Sequence, residues 1–335
     1  MNGRLRFADL FAGIGGFRLG FEQSGYECVF SAENNPFACK LYEMNFGVNP
    51  DCDITKLDAS ALPDFDVLCA GFPCQAFSIC GKKQGFADET RGTLFFDVCR
   101  VLEEKRPYCV VLENVANLEK HDNGNTLRVI LDSLANLGYT VTYRVLNARD
   151  FGVPQSRERI ILIGCLDGKA FDFWWLERNP VNSMLGFLDT EGDFTVLSPD
   201  EYTLLSGKQI HKQSKTGLIF CGYRNKNLRV AGIRPNTEHL SRAHKQPNRI
   251  YDSRGIHPTL MSQESSGRYF IKVGDTVRKL TMAECFRFMG FPDDYKREGT
   301  DAQQYACIGN SICVPMVRAI ADAVAEQIFG REVVI

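Results

Sequence analysis

The sequence is poor in the residues that usually build metal sites. Only five histidines occur among 335 residues, and the 13 cysteines include no CxxC pair. Structural zinc sites generally use such closely spaced ligands, so we expect no metal. The odd number of cysteines, scattered without a repeat, indicates reduced and mostly structural thiols.

Long apolar runs and low-complexity tracts are also missing. No apolar run approaches the ~20 residues that a membrane helix requires. The N-terminal stretch MNGRLRFADLF carries Asp9 among its apolar residues and is too short for a secretory signal. We therefore expect a cytoplasmic protein with no membrane partner. The composition, 44% hydrophobic and 24% charged, is that of a globular chain with one large and one smaller domain.

The small net charge of −2 conceals an uneven distribution along the chain. Residues 207–254 contain 11 Lys or Arg against two acidic residues, and the remainder of the chain is acidic. Such segregation is typical of a surface that faces phosphates. The alternative is a solvated loop region without a partner.

The first half of the chain alternates strand-like and helix-like segments. The candidate strands are RLRFADLF, ECVFSAE, FDVLCAG, YCVVLEN, TVTYRVLN and ERIILIGC. The candidate helices span residues 17–24, 37–46, 94–105 and 125–137. This alternation predicts an α/β fold with a doubly wound, mostly parallel sheet covered on both faces.

The pattern fades after about residue 187, where Asn, Gln, Ser, Gly and basic residues become frequent. We predict a larger domain over residues 1–187, completed by about 305–335. A smaller, loop-rich and β-leaning domain is predicted over 188–281, followed by a hinge over 282–304.

A glycine cluster, ADLFAGIGGFRLGF, follows the first predicted strand and precedes a helix. Gly13 and Gly15 permit close approach of a ligand, but Arg18 replaces the third glycine of a dinucleotide fingerprint. Glu33, at the end of the second strand, is placed to accept hydrogen bonds from ribose hydroxyls, and Asp53 offers another carboxylate. With acids and no lysine for a pyrophosphate, the pattern favours S-adenosylmethionine.

Four further side chains follow or precede predicted strands. Cys74 follows the third strand, Glu113 ends the fourth, and Arg157 and Arg159 precede ERIILIGC. A free cysteine is most often a small buried residue, and the arginines alone would be an ordinary surface turn. Together they suit attack of a thiolate on cytosine C6, with a carboxylic acid of raised pKa at N3 and an arginine at O2. The C5 atom then becomes nucleophilic enough to accept a methyl group.

These residues lie in motifs that resemble the DNA (cytosine-5)-methyltransferases of bacterial restriction–modification systems. The motifs DLFAGIGG, GFPCQAFS, ENV, QSRER and GNS occur in the family's order. The resemblance covers nearly the whole chain and is weakest between about residues 169 and 245. It implies an S-adenosylmethionine-dependent methyltransferase fold of the Rossmann-like type, with residues 188–281 as the target-recognition domain.

The resemblance also implies roles for individual residues. Cys74 would be the nucleophile, Glu113 the acid at N3, and Arg159 the residue at O2, supported by Arg157. The cofactor and base pocket would be lined by Phe11, Ala12, Gly13, Gly15, Gly16, Glu33, Asn34, Asp53, Ile54, Pro73, Leu94, Asn310 and Ser311. Contacts with DNA would come from Ser78, Cys80, Arg91, Gln246, Arg249, Arg254 and Thr259. The basic loop 79–92 would be a mobile lid.

Family members flip the target cytosine out of the duplex, because a stacked base hides C6. The implied partners are double-stranded DNA and, genetically, a cognate restriction endonuclease, with a monomer acting in the bacterial cytoplasm at the nucleoid. Asn34 and Cys80 depart from the pattern: relatives have a large aromatic residue at the first position and serine at the second.

Three other interpretations remain to be weighed. An RNA cytosine methyltransferase would have a smaller recognition region, and a non-catalytic paralogue would lack Cys74 or Glu113. A nicotinamide-dependent oxidoreductase is disfavoured by the broken glycine fingerprint.

Overall fold

The computed structural model describes residues 3–73, 94–225, 237, 239–263 and 268–331. The chain forms two compact units, each built from separate stretches of sequence. The first comprises Met1–Leu146, Glu158–Glu177 and Met316–Ile335, and the second comprises Asn147–Arg157 and Arg178–Pro315. The functional division into 1–187, 188–281 and 282–304 stays a prediction.

The described part of the chain contains both strands and α-helices. The strands are β1 Arg6–Leu10, β2 Glu27–Ala32, β3 Val67–Ala70, β4 Cys109–Val115, β5 Thr140–Asn147, β6 Gln155–Ser156, β7 Glu158–Cys165, β8 Tyr202–Leu204, β9 His211–Lys212, β10 Ile219–Arg224, β11 Arg249–Asp252, β12 His257–Pro258, β13 Phe270–Val273 and β14 Thr276–Lys279. The α-helices are α1 Gly16–Gln23, α2 Pro36–Phe46, α3 Leu94–Lys105, α4 Asn125–Asn136, α5 Met282–Arg287, α6 Asp301–Asn310 and α7 Val314–Gln327.

The first unit is organised around a six-stranded sheet of order β2-β1-β3-β4-β7-β5. The pairs β1–β2, β1–β3 and β3–β4 are parallel, whereas β4 and β7 are antiparallel. All four residues of β3 are buried, as expected when a strand is covered on both faces. The predicted α/β fold with a mostly parallel sheet is therefore confirmed.

The helices of the first unit begin and end close to their predicted bounds. Asn35 caps α2, because its side-chain oxygen accepts from Phe37 N and Ala38 N, and Pro36 occupies the first helical turn. The C-terminal helix α7 returns to this unit, where Tyr26 donates a hydrogen bond to Ala321 O over 3.0 Å. A helix from the far end of the sequence thus packs in the unit that carries the candidate site.

One helical stretch, Asp301–Gln327, has the length and mean hydropathy of a membrane span, and 61% of the 18-residue window that meets this criterion is buried inside the protein. It consists of α6 and α7, separated by three non-helical residues, 311–313. A helix that packs in a protein core passes the same test of length and composition.

The second unit is built on short strands with long connections. Five strands pair in the order β14-β13-β11-β10-β8, with β9 paired to β10, and β6 pairs with β12 separately. A small core between them contains Leu197, Cys221, Ile250, Phe270 and Val277. Its loop-rich, β-leaning character agrees with the composition of this part of the sequence.

Candidate active site

The glycine turn after β1 is tied to the end of β2 by the Glu33 carboxylate. Gly13 N donates to Glu33 Oε2 over 2.8 Å, while Asn34 N and Asn35 N donate to Oε1 over 3.0 and 2.8 Å. The Glu33 carbonyl accepts from Cys52 N over 2.9 Å, which brings the chain before Asp53 to the same edge. The acid therefore organises the backbone of the predicted cofactor site.

The glycine turn after β1 leaves space for a ligand beside Gly13 but not beside Gly15. A Cβ atom built on Gly13 would meet nothing closer than Phe11 O at 4.0 Å, whereas one on Gly15 would lie 2.3 Å from the Phe46 ring. Gly15 therefore has to be glycine for α2 to pack, and the open side lies at Gly13. A carboxylate offers about four lone-pair positions, so three backbone donors leave room at Glu33 for a hydroxyl. The residues present fit a nucleoside without a pyrophosphate.

The second predicted acid, Asp53, caps a short 3₁₀ turn over Ile54–Lys56. Its Oδ1 accepts from Thr55 Oγ1 over 2.7 Å and from Thr55 N over 3.1 Å. These hydrogen bonds, followed by the interaction with Lys56, hold the pKa of Asp53 below its ordinary value. Asp53 is consequently an anion that can accept a hydrogen bond from a ligand amine.

Arg100 on α3 fixes the position of this turn, a role that sequence reasoning missed. Its guanidinium donates to the carbonyls of Ile54 and Leu57, each over 2.6 Å. Leu94, the first residue of α3, is half-buried. No local motif marks Arg100, because its acceptors lie more than 40 residues earlier in the chain.

Asp9, in the second half of β1, shortly precedes the glycine turn in the sequence. Its side chain is fully buried, and burial raises its pKa well above the ordinary range, although Arg18 opposes that effect. Arg18 itself stacks on the Phe46 ring at 4.5 Å and donates to Tyr42 Oη over 3.2 Å. Burial thus favours an uncharged carboxyl beneath the glycine turn.

The chain after β3 passes against the end of β4. Asn114 donates to Phe72 O over 2.8 Å and is itself buried, so it fixes the segment that leads through Pro73 toward Cys74. A Cβ atom built on Gly71 would lie 3.4 Å from Glu113 Oε2. The ends of two neighbouring parallel strands therefore meet, as their polar residues predicted.

Glu113 and Arg159 form the central ion pair of this edge. Arg159 Nε lies 2.7 Å from Glu113 Oε1, and each side chain is 12% exposed. The antiparallel register places Val115 of β4 opposite Arg159 of β7, so the end of one strand meets the start of the other. A carboxyl group and a guanidinium thus lie in contact at a partly accessible position.

Arg157, only two residues earlier, has different surroundings within the second unit. Its buried guanidinium donates to the carbonyls of Leu260, Gly309 and Ser311 over 2.7–2.9 Å. These hydrogen bonds fix the backbone of the GNS motif, residues 309–311. A Cβ atom on Gly309 would lie 2.3 Å from Met261 O, so this glycine is required.

Several predicted site residues lie outside the described part of the chain. These are Cys74, Ser78, Cys80 and Arg91, and the proposed lid 79–92 falls there too. Asn310 and Ser311 belong to the second unit, with Asn310 exposed and Ser311 half-buried. Their assignment to the cofactor pocket stays a prediction.

The predicted DNA contacts of the second unit differ in how far their side chains are already engaged. Gln246 is exposed, whereas Arg249 donates from Nε and Nη2 to His244 O over 3.2 and 3.1 Å. Thr259 Oγ1 donates to Ser156 O over 2.7 Å. Arg254 pairs with Asp252. Their contacts with DNA stay predictions.

Exposed cations are frequent in the same unit. Those within the described basic segment are Lys208, Lys212, Lys215, Arg242, Lys245 and Arg254. Their number follows from the composition of residues 207–254 and suits a polyanionic partner.

The chain matches the model of the C-5 cytosine-specific DNA methylase family over residues 5–326. It is 41% identical to type II methyltransferase M.HhaI of Haemophilus parahaemolyticus over 329 residues, covering 95% of this chain and 93% of that protein. It is 41% identical to type II methyltransferase M.NlaX of Neisseria lactamica, with 95% of both chains covered.

Solved structures with the same fold have lower identity. The Dnmt2 methyltransferase of S. pombe is 20% identical and superposes with a TM-score of 0.69, covering 98% of this chain and 100% of that one. A putative DNA modification methyltransferase from an E. coli prophage is also 20% identical, with a TM-score of 0.66 and coverage of 97% and 99%. These likenesses support the fold.

Proposed function

Because this chain belongs to the C-5 cytosine-specific DNA methylase family, we propose that it methylates C5 of a cytosine within a specific double-stranded DNA sequence. The methyl donor is S-adenosylmethionine, and the biological role is protection of host DNA in a restriction–modification system. The relatives named as type II methyltransferases support that role. The enzyme class is DNA (cytosine-5-)-methyltransferase.

The observation that carries the proposal is the Glu113–Arg159 pair beside the segment that leads to Cys74. The pair has a 2.7 Å contact and remains 12% exposed on each side. Asn114 donates a hydrogen bond to Phe72 O, which fixes the backbone two residues before Cys74. Three reactive groups of the types that cytosine activation needs are thus supplied from adjacent strands.

The proposed reaction begins with attack of the Cys74 thiolate on C6 of the cytosine. A proton shared between Glu113 and N3 withdraws electrons from the ring, while Arg159 donates to O2. Arg159 holds the Glu113 side chain in the free protein through the 2.7 Å contact of its Nε with Oε1. The new S–C6 bond makes C5 nucleophilic, and C5 takes the methyl group. Transfer of the C5 proton to solvent water then restores the C5–C6 double bond, breaks the S–C6 bond to release the thiolate, and returns the N3 proton to Glu113.

The first unit supplies the groups that would hold the cofactor. When bound, S-adenosylmethionine supplies a methyl group activated by a sulfonium. Glu33 would accept a hydrogen bond from a ribose hydroxyl, and Asp53 would accept one from the adenine amine. The open space beside Gly13 would allow close approach of the ligand. Asn34 is exposed next to Glu33 and offers no aromatic ring for stacking.

The second unit would bind the duplex around the target base. Its exposed lysines and arginines would contact phosphates, and Gln246 would fill the space left by the flipped cytosine. We place Arg157 in a positioning role, since its guanidinium is engaged by three carbonyls of the second unit.

The decisive experiment is expression of the protein with a plasmid in a host without cytosine-5 methylation, followed by bisulfite sequencing. We expect one short sequence context to be protected from conversion, and Cys74→Ser to abolish protection while DNA binding survives. A duplex with 5-fluorocytosine at the target should trap a covalent adduct with the wild type only. Full conversion of the plasmid by bisulfite would refute the proposed activity, and methylation by Cys74→Ser would refute the covalent step.

A further inference from the structure

The turn that follows β11 presents one arginine in a fixed orientation. Arg254 Nε donates to Asp252 Oδ1 over 2.9 Å, and Arg254 Nη2 donates to Asp252 Oδ2 over 2.6 Å. The Asp252 side chain is 4% exposed, whereas that of Arg254 is 68% exposed. A buried carboxylate therefore holds a guanidinium that projects from the protein.

The turn itself is anchored on several sides, so the pair has little freedom to move. Arg254 N also donates to Asp252 Oδ1, and Gly255 N donates to Asp252 O over 3.0 Å. Ser253 O accepts from Met184 N over 3.0 Å. A Cβ atom on Gly255 would lie 2.7 Å from Ile219 Cγ1, so β10 packs directly against the turn.

The ion pair leaves one edge of the guanidinium available. Arginine has five N–H donors in a planar fork, and Asp252 takes Nε and one hydrogen of Nη2. The remaining edge, Nη1 with the second Nη2 hydrogen, keeps the spacing that fits O6 and N7 of guanine in the major groove.

The charge of the pair distinguishes Arg254 from the other exposed cations of the unit. Within the part of the chain that the structure describes, carboxylate partners are absent for Lys208, Lys212, Lys215, Arg242 and Lys245. Those residues carry a full positive charge toward phosphates. The Asp252–Arg254 pair is neutral overall, so it attracts phosphate weakly but retains directed hydrogen bonds.

We infer that Asp252 is a positioning residue that presents Arg254 to a guanine of the recognition sequence. This inference rests on the proposed function. It adds that one base of the recognition sequence is a guanine contacted by Arg254, and that Asp252 orients Arg254. Burial of Asp252 opposes its ionisation, but the hydrogen bonds from Arg254 outweigh that effect and keep its pKa below the ordinary value.

The test is a cycle between protein and DNA substitutions, run after bisulfite sequencing has defined the recognition site. Each guanine of the site, on either strand, is replaced in turn by 7-deazaguanine, which lacks N7. For wild type we expect a loss of about 10-fold in kcat/KM at one position, within the range for a bidentate arginine contact. For Arg254→Lys and Asp252→Asn, we expect 7-deazaguanine at that position to change kcat/KM by less than about 3-fold.

Asp293→Asn is the matched control, because Asp293 pairs with Arg287 over 2.9 Å in the same unit but lies outside the basic segment. It should show the wild-type response at every guanine. Unfolding curves for all variants separate loss of the contact from loss of the fold.

The inference is overturned by a recognition site without guanine, by equal sensitivity of wild type and Arg254→Lys at every position, or by a wild-type response from Asp252→Asn. It is also overturned if Arg254→Gln, which removes the charge, loses affinity uniformly with a salt slope smaller by about one, because that result would assign the residue to phosphate. Failure of the proposed function is a separate result, since wild type would then methylate no plasmid cytosine.

Discussion

The two compact units treat their arginines differently. In the first unit, Arg159 contacts a carboxylate, and both side chains stay 12% exposed. In the second unit, Arg157 is buried and donates hydrogen bonds to three backbone carbonyls. We therefore propose that the QSRER motif supplies one arginine for chemistry, Arg159, and one that stabilises the fold, Arg157, although only a single residue separates them.

The comparison predicts the largest effect on activity at the first unit's ion pair. Glu113→Gln keeps a hydrogen-bond donor for N3 but cannot transfer a proton. We expect single-turnover methyl transfer to slow by about 1,000-fold, within the range for general acid catalysis. The control is Glu119→Gln, an exposed residue on the same unit that should retain the wild-type rate. A rate within 10-fold of wild type in Glu113→Gln would remove Glu113 from the chemistry.

The second unit's arginine should instead control stability. Arg157→Leu removes the donors of two buried carbonyls and one half-buried carbonyl, and we expect the free energy of unfolding to fall by about 3 kcal/mol. Urea unfolding measures this loss. Arg159→Leu is the matched change in the first unit, where a partly exposed pair is broken, so methyl transfer should collapse with a smaller loss of stability. The prediction is wrong if Arg159→Leu causes the larger loss of stability and Arg157→Leu the larger loss of methyl transfer.

What the sequence predicted well is local in character. Helix α3 was predicted at its observed bounds, and the candidate strands contain β1, β2, β3, β5 and β7, because apolar periodicity and polar strand ends depend on neighbouring residues. Strand β4 extends one residue beyond its candidate strand, to Val115. The end of β3 and Glu113 of β4 were predicted to converge, since the carboxyl ends of adjacent parallel strands meet at one edge, and a Cβ atom built on Gly71 would lie 3.4 Å from Glu113 Oε2. The contact of Glu113 with Arg159 follows instead from the antiparallel pairing of β7.

What escaped prediction depends on contacts between distant parts of the chain. Arg157 bonds to residues more than 100 positions away, and Asn114 holds Phe72 42 positions earlier. Such partners leave no periodic or local signal. The antiparallel pairing of β4 with β7 is likewise a choice of topology, which strand-like composition alone does not specify.

The units also differ in the pKa shift of one fully buried titratable group in each, Asp9 and His257. Burial raises the pKa of Asp9 in the first unit, which favours a neutral acid. Burial lowers the pKa of His257 in the second unit to about 4, although its hydrogen bond to Pro258 O opposes that shift. His257 packs between the rings of Tyr269 and Phe288, each with its centroid 5.6 Å away. The second unit should therefore be the more sensitive to mild acid.

The sign of the effect at His257 follows from proton binding. Between the ordinary histidine pKa of 6.5 and about 4, the unfolded chain binds a proton that the folded chain excludes, so stability falls as pH drops through this window. From pH 7 to pH 5 the contribution is about 2 kcal/mol. His257→Asn keeps an N–H donor for Pro258 O without titrating. We expect its unfolding free energy, measured in urea, to depend less on pH below 6.5 and to parallel wild type between pH 7 and 8.5. Equal acid dependence in the two proteins would mean that carboxylates alone cause the loss, and that the buried histidine does not distinguish the second unit.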